Sequence, residues 1–252
     1  MRADDASIAQ ALMRSRRTGQ SLDAEAFKVA DAAQAYRVQA LVADGMGWFD
    51  EGVPRFWKSG GPGREAALTH APLPPSGIHQ SVFQRVSENP DWLGVEAEMA
   101  LRIGQDVDGR MAQALSEEQA LALVDAMAVS IELVASRWHQ GMLAPPWHKL
   151  ADQQSHGALV LGEWQAMRAV DWSRQGCQVI IGAQTRTFVG THSLRDPTWL
   201  LTRWLRHATA SGDVLAAGSV VTTGTWCGLL AVRAGDAVQV RFDGIGHAQA
   251  LL

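Results

Sequence analysis

The chain is poor in the residues that staple or address small secreted domains. Only Cys177 and Cys227 are cysteine among 252 residues, so neither a disulfide framework nor a thiol-rich zinc site can be built. It also lacks an excess of one charge. The 22 basic and 26 acidic residues leave a formal charge of −4, which excludes a strongly basic nucleic-acid footprint. No apolar run approaches the roughly 20 residues that span a bilayer, and the N-terminus has no signal-peptide-like apolar core. These absences predict a soluble, cytoplasmic protein without nucleic-acid or membrane partners. What is present suffices for a sizeable core: 47% of residues are hydrophobic and 19% charged, and the length fits one domain with an extension. Aromatic usage is lopsided, with ten Trp against a single Tyr.

The N-terminal part reads as helical. Asp4 or Asp5 caps a helix carrying Ile8, Ala9, Leu12 and Met13, and Arg14, Arg16 and Arg17 suit the negative end of its dipole. Ser21 or Asp23 offers a further start. An Ala-rich segment, about 30–43, follows, with Ala33, Tyr36, Ala40 and Leu41 at helical spacing and Gly45 and Gly47 as stops. From Phe49 to about Ser81, clustered Gly and Pro predict one long irregular segment, a kind of loop more often functional than neutral. Beyond it, strand-like runs cover 96–103, 129–136, 157–161, 178–181, 220–223 and 237–242, with Gly212-Asp213 and Gly235-Asp236 as turns. Two helices interrupt them. One begins at the Ser116–Gln119 capping box with Leu121, Val124 and Met127 on one face, the other at Asp196-Pro197 and runs through Trp204, Leu205 and Ala208 to Gly212. The expected class is α+β and β-rich, with a helical region 1–50 and a β-rich domain 51–252 forming one compact unit.

The chemistry starts on the run Gly94–Ile103. Period-two alternation puts Val95, Ala97, Met99, Leu101 and Ile103 on one face and Glu96, Glu98, Ala100 and Arg102 on the other. Glutamates at i and i+2 project side by side and repel unless a cation or shared proton lies between them; a solvated strand face is the plain alternative. Glu132 interrupts the apolar run 129–134, where a buried charge needs a partner, either a nearby base such as Arg137 or a cation shared with the pair. Three carboxylates make an oxygen-rich site suited to Mg²⁺, with Mn²⁺ second.

The segments Val95-Glu-Ala-Glu-Met-Ala-Leu101, Ile131-Glu-Leu-Val-Ala-Ser-Arg-Trp138 and Ala151-Asp-Gln-Gln-Ser155 resemble the hydratase/decarboxylase branch of the fumarylacetoacetate hydrolase superfamily. The likeness continues through Gly218–Thr225 and Gly235–Phe242 to Gly244-Ile-Gly246, and is weakest before about Arg55. The resemblance implies a mixed, barrel-like β fold with N-terminal helices packed outside. It implies a divalent metal held by Glu96, Glu98 and Glu132, with Glu in the third place favouring the hydratase/decarboxylase side. In Phe56-Trp-Lys-Ser-Gly60 it gives Lys58 the active-site lysine role; by itself Lys58 reads as an ordinary surface lysine. Asp152 joins Lys58 as a catalytic residue, and Ser155, Arg137 and His192 as substrate contacts.

This sequence departs from the family in three places. Leu73-Pro-Pro-Ser-Gly77 stands where relatives carry a catalytic Asp after Pro, the middle of the 151–155 segment is changed, and Ala135 replaces a usual Asp or Gly. His139, His148 and His156 surround the site in sequence without a zinc-binding spacing. Gly60–Gly63 lacks the Lys and Ser/Thr of a P-loop.

The implied activity is that of a metal-dependent lyase of aromatic-compound catabolism. It would hydrate a 2-hydroxy-2,4-dienoate or 2-oxo-4-enoate, as 2-keto-4-pentenoate hydratases do. A 2-oxo-acid decarboxylase or an acylpyruvate-type C–C hydrolase on the same scaffold is the second reading, and a catalytically silent partner subunit the third. The implied partners are a small 2-oxo or 2-hydroxy carboxylic acid and further copies of the chain, or a related decarboxylase or hydratase.

Overall fold

A computed structural model describes residues 4–49, 52–84 and 94–252; the expected boundary at residues 50 and 51 lies outside them. Asp4 accepts the Ser7 N–H at 2.8 Å and starts α1 (Asp5–Thr18), which ends at left-handed Gly19. Asp31 caps α2 (Ala32–Gly45), while Asp23 caps only a short 3-10 turn, Ala24–Ala26. Ile8, Leu12, Val38 and Val42 bury together with Trp138 and Leu150. α1 thereby packs on α2, and α2 docks on α5 (Pro146–Ala151), a helix the sequence reading does not contain.

The segment expected to be irregular instead holds three strands: β1 (Phe56–Gly60), β2 (Thr69–Pro72) and β3 (Ile78–Gln80). Each is too short to display a period, and their pairing is settled by distant strands. The short β4 (Phe83–Gln84) follows. β5 (Gly94–Ile103) pairs antiparallel with β6 (Val124–Val134), and β6 with β7 (His156–Leu161) and β8 (Gln165–Ala166). β11 (Val220–Thr222) lies between β1, to which it is parallel, and β5, giving the order β2-β1-β11-β5-β6-β7-β3. A second sheet runs β10 (Gln184–Val189), β9 (Gly176–Ile181), β12 (Ala237–Phe242), β13 (Gly246–Leu251), β4.

The Ser116–Gln119 capping box forms, but its helix α4 (Glu117–Ala122), preceded by α3 (Gly109–Ala114), is shorter than expected. Val124 and Met127 belong to β6, because their side chains complete the strand's buried rows. Asp196 caps a 3-10 turn that leads into α6 (Leu201–Ala208). The main core lies between the sheets: Met99, Leu101, Val129 and Ile131 meet Val240 and Phe242, and Trp204 and Trp226 are fully buried there.

The other face of the large sheet is concave. β1 and β6 are three places apart in the strand order, roughly 14 Å on a flat sheet at about 4.8 Å per strand. Lys58 on β1 nevertheless donates a hydrogen bond to Glu132 on β6, so the sheet curls into a half barrel. Among the described residues, no helix is long and apolar enough to cross a membrane.

Candidate functional site

Strand register sets the centre. Glu96 on β5 lies directly opposite Glu132 on β6, and Glu98 opposite Ser130. Like charges across a ladder disfavour pairing, yet Glu98 is 2% and Glu132 1% exposed, which overturns the solvated-face alternative. One carboxylate oxygen from each of Glu96, Glu98 and Glu132 falls within 4.8 Å of the others. Lys58 Nζ binds Glu132 Oε1 and also donates to the Gln154 carbonyl at 3.2 Å. The Gly224 N–H donates to Glu98 Oε2 at 3.1 Å, and His156 Nδ1 stands 3.4 Å from Glu132 Oε1.

Burial and then the Glu132 charge push Glu96 up to about 7. The same causes, with Glu96 added, push Glu98 up to about 8. For Glu132 burial works upward, but Lys58 and His156 outweigh it and hold the carboxyl below its ordinary range. Burial disfavours the Lys58 ammonium, and the facing Glu132, Glu96 and Glu98 more than restore it, so its pKa is raised. The centre is three carboxylates facing one ammonium. Among the described residues Glu132 Oε2 is buried without a hydrogen-bond partner, as is the Ser155 hydroxyl. An orphaned carboxylate oxygen inside a cluster of three carboxylates is a donor set for a hard divalent cation, and the residues present fit one.

The centre opens into a cavity of about 730 Å³. Lys58, Glu96, Glu98, Ser155, Thr222 and Thr225 line one side, and Pro62, Ala66, Met142, Pro146, Trp147 and Leu150 make the other side apolar. Lys149 is the one further cation on its wall among the described residues, and its ammonium donates to the Met142 carbonyl at 3.0 Å.

Of the residues expected from sequence, the structure brings Lys58, Glu96, Glu98, Glu132 and Ser155 together and leaves three behind the wall. Asp152, expected to move a proton, is 0% exposed; its Oδ1 accepts from Arg137 Nε at 2.6 Å and Arg16 Nη2 at 2.9 Å, and its Oδ2 from the Arg137 backbone N–H at 2.9 Å. Arg137, expected to touch substrate or to neutralise Glu132, is committed to Asp152 instead. His192 Nε2 contacts the Thr223 carbonyl at 2.9 Å and its Nδ1 accepts the Leu194 N–H. It therefore steadies the loop whose Gly224 reaches Glu98 rather than facing the cavity.

Asp152 also precedes Gln153, Gln154 and Ser155, whose φ values of 47°, 54° and 58° are left-handed. Such non-glycine conformations cost about 1–3 kcal/mol each and gather at functional sites. This turn aims the Gln154 carbonyl at Lys58. Sequence reasoning missed Gln154, Arg16, Trp147 and the contact made by His156. Only a Gln-Gln where relatives carry Asn-Ala marks the first of them.

The fold and site define an α+β protein whose half-barrel sheet carries three carboxylates and a buried lysine on its concave face. The family described as fumarylacetoacetate (FAA) hydrolase C-terminal matches residues 73–251, and the chain belongs to that family. It is 28% identical over 160 residues to 2-keto-4-pentenoate hydratase of Paraburkholderia xenovorans (strain LB400), covering 62% of this chain and 57% of that protein. It is 27% identical over 154 residues to 4-oxalocrotonate decarboxylase of Pseudomonas sp, covering 60% and 57%. The matched part thus spans 57% of the length of either relative. In fold it is similar to 4-oxalocrotonate decarboxylase from Pseudomonas putida G7 complexed with magnesium and adipate, with a TM-score of 0.84, 16% identity, and coverage of 98% of this chain and 96% of that one.

Proposed function

We propose that this chain is a divalent-metal-dependent lyase, a hydratase of a 2-hydroxy-2,4-dienoate or 2-oxo-4-enoate. The observation that carries the reading is the carboxylate cluster with the unpartnered Glu132 Oε2, facing a cavity beside a buried lysine. Glu96, Glu98 and Glu132 would hold Mg²⁺ or Mn²⁺, which supplies Lewis-acid polarisation of a substrate 2-oxygen. The hydratase and decarboxylase names of the relatives support the same chemistry.

The chain's own groups then have distinct tasks. Lys58 is kept as an ammonium by the carboxylates around it, so it donates a hydrogen bond to a developing oxyanion or releases a proton to carbon, and is not a base. The Ser155 hydroxyl has no partner among the described residues and is free to bond the substrate. The apolar wall excludes water from the far end of the cavity. Asp152, Arg137 and Arg16 act behind it, as holders of the 153–155 turn.

Decarboxylation of a 2-oxo acid is the second reading. The lack of a carboxylate in Leu73-Pro-Pro-Ser-Gly77 favours it, since losing CO₂ needs the electron sink but no activated water. A homo-oligomer is part of the proposal, supported by Leu143, which is 91% exposed beside the cavity-lining Met142. The test is loss of the ultraviolet absorbance of 2-hydroxypenta-2,4-dienoate, and separately of 4-oxalocrotonate, with Mg²⁺ or with chelator. Metal-dependent consumption of the first supports hydration; no metal-dependent change with either would sink both readings.

A further inference from the structure

His156 is used neither in the sequence-derived site nor in the chemistry above, yet it is among the most enclosed polar residues of the chain. It begins β7, is 1% exposed, and its ring stands between Glu132 and the Pro74–Gly77 segment. Nδ1 is 3.4 Å from Glu132 Oε1, the oxygen that also takes Lys58, while Nε2 has no partner among the described residues. Burial lowers the imidazole pKa against the pull of Glu132. A carboxylate only accepts, so in this contact Nδ1 carries the proton and donates it.

The other edge of the ring faces the Pro74–Gly77 segment. A Cβ on Gly77 would lie 3.0 Å from His156 Nε2. Glycine at this position therefore leaves the imidazole its room. His156 itself is not part of the three-residue cluster able to share an ion; any influence on a cation passes through Glu132.

We propose that His156 is a positioning residue of the carboxylate centre: with Lys58 it holds Glu132 by Oε1, leaving Oε2 as the oxygen offered to a cation. This rests on the reading of the cluster as a metal site. Partners of this kind, which orient a ligand without touching the metal, are worth about 10–100-fold in affinity.

The test is Mn²⁺ binding, followed by calorimetry on the full chain, with His156→Asn, His156→Gln and His156→Leu. The Asn amide reaches the place of Nδ1 and keeps the donor; the Gln amide reaches the place of Nε2 and does not; Leu fills the space without a donor. The expected result is wild-type-like affinity for H156N, within about threefold, and a loss of about tenfold or more for H156Q and H156L. A ring that merely fills space gives the reverse order, with H156L binding as wild type and the smaller Asn worse, and that order overturns the proposal. H156Q within twofold of wild type overturns it as well, even if H156L fails to fold. If wild type binds no Mn²⁺, the metal reading falls and this inference falls with it. If wild type binds and the variants do not differ, only the role of His156 is lost.

Discussion

Lys58 and Glu132 form an ion pair across a sheet in which their strands are not neighbours. β11 and β5 intervene, so the pair exists only because the sheet is curled, and among the described residues the lysine is the one side-chain cation bonded to the cluster of three carboxylates. Removing one partner of a buried pair costs about 3–5 kcal/mol. Lys58→Ala is therefore expected to lower apo-protein stability by about that amount in denaturant melts. Mn²⁺ should restore much of the loss, since the cation replaces the missing charge. Metal affinity should be retained while turnover falls at least ~10²-fold. Retained turnover would remove Lys58 from the chemistry.

Among the described residues Glu98 has no cationic partner of its own and accepts the Gly224 N–H. Glu98→Ala should abolish Mn²⁺ binding in calorimetry. Because the buried Glu98 carboxyl, pushed up to about 8, burdens the fold only as it ionises, the apo variant should gain on wild type in melting temperature as pH rises toward 9. Unchanged affinity would cancel the ligand assignment.

The pH response follows from Glu96 and Glu98. Their folded values of about 7 and about 8 stand above the ordinary carboxylate value, so the folded apo chain holds protons that the unfolded chain has released. Stability from this source is complete below about pH 4.3 and is lost as pH rises through 7 to 8. Glu132, shifted down, loses its contribution only at lower pH, and Lys58, shifted up, only at higher pH. Above pH 7, where the buried and depressed His70 and His192 no longer titrate, thermal melts at pH 7 and 9 should show the apo Tm falling and Mg²⁺ flattening the fall. Affinity for the metal should climb over the same range, because binding displaces the protons. An apo Tm that rises from pH 7 to 9 would contradict this account.

Arg16 links α1 to the turn that faces Lys58. Its guanidinium bonds both Asp152 Oδ1 and Gln153 Oε1 at 2.9 Å and lies over the Trp48 ring. Arg16→Met leaves Asp152 with Arg137, so the expected loss of stability is about 1–3 kcal/mol. Hydrogen exchange should speed up at the Ser155 amide, which is bonded to the Asp152 carbonyl. Turnover should drop more than metal affinity. Unaltered exchange at Ser155 would show that α1 has no hold on the turn.

The apolar wall predicts a chain-length effect. In the Mn²⁺-loaded protein, each methylene added to a straight-chain 2-oxo acid should tighten binding about fourfold, from about 0.8 kcal/mol per buried CH₂. A distal carboxylate should give no such gain, because Lys149 is held by Met142. Trp147→Ala should erase the increment and spare pyruvate. A 2-oxo dicarboxylate binding best would overturn this.

The glutamate pair is legible in the sequence because strand alternation needs no tertiary information, and Glu132 because a charge inside an apolar run demands a partner. The identity of that partner is not legible. Arg137 is five residues away in sequence and pairs elsewhere, whereas Lys58 is 74 residues away and reaches Glu132 through sheet curvature. Resemblance alone marks Lys58, and it cannot say that Asp152 and His192 stand behind the wall. Arg16, 136 residues from Asp152, sits among cations that dipole reasoning already explains. Trp147 falls in a helix with no N-cap side chain to announce it. Of the ten Trp, those filling the core and the one lining the cavity look alike in composition.

The placement of β11 has a consequence for how the protein is made. A nascent chain that has emerged as far as Leu161 already contains Lys58, the three glutamates and His156. It lacks Val220–Thr222, the strand that sits between the lysine's strand and that of Glu96 and Glu98. Assembly of the centre is thus a late, long-range closure, paced by topology more than by local preference. A truncation before Val220 would leave Lys58, the three glutamates and His156 in the polypeptide and still sever the lysine half from the carboxylate half.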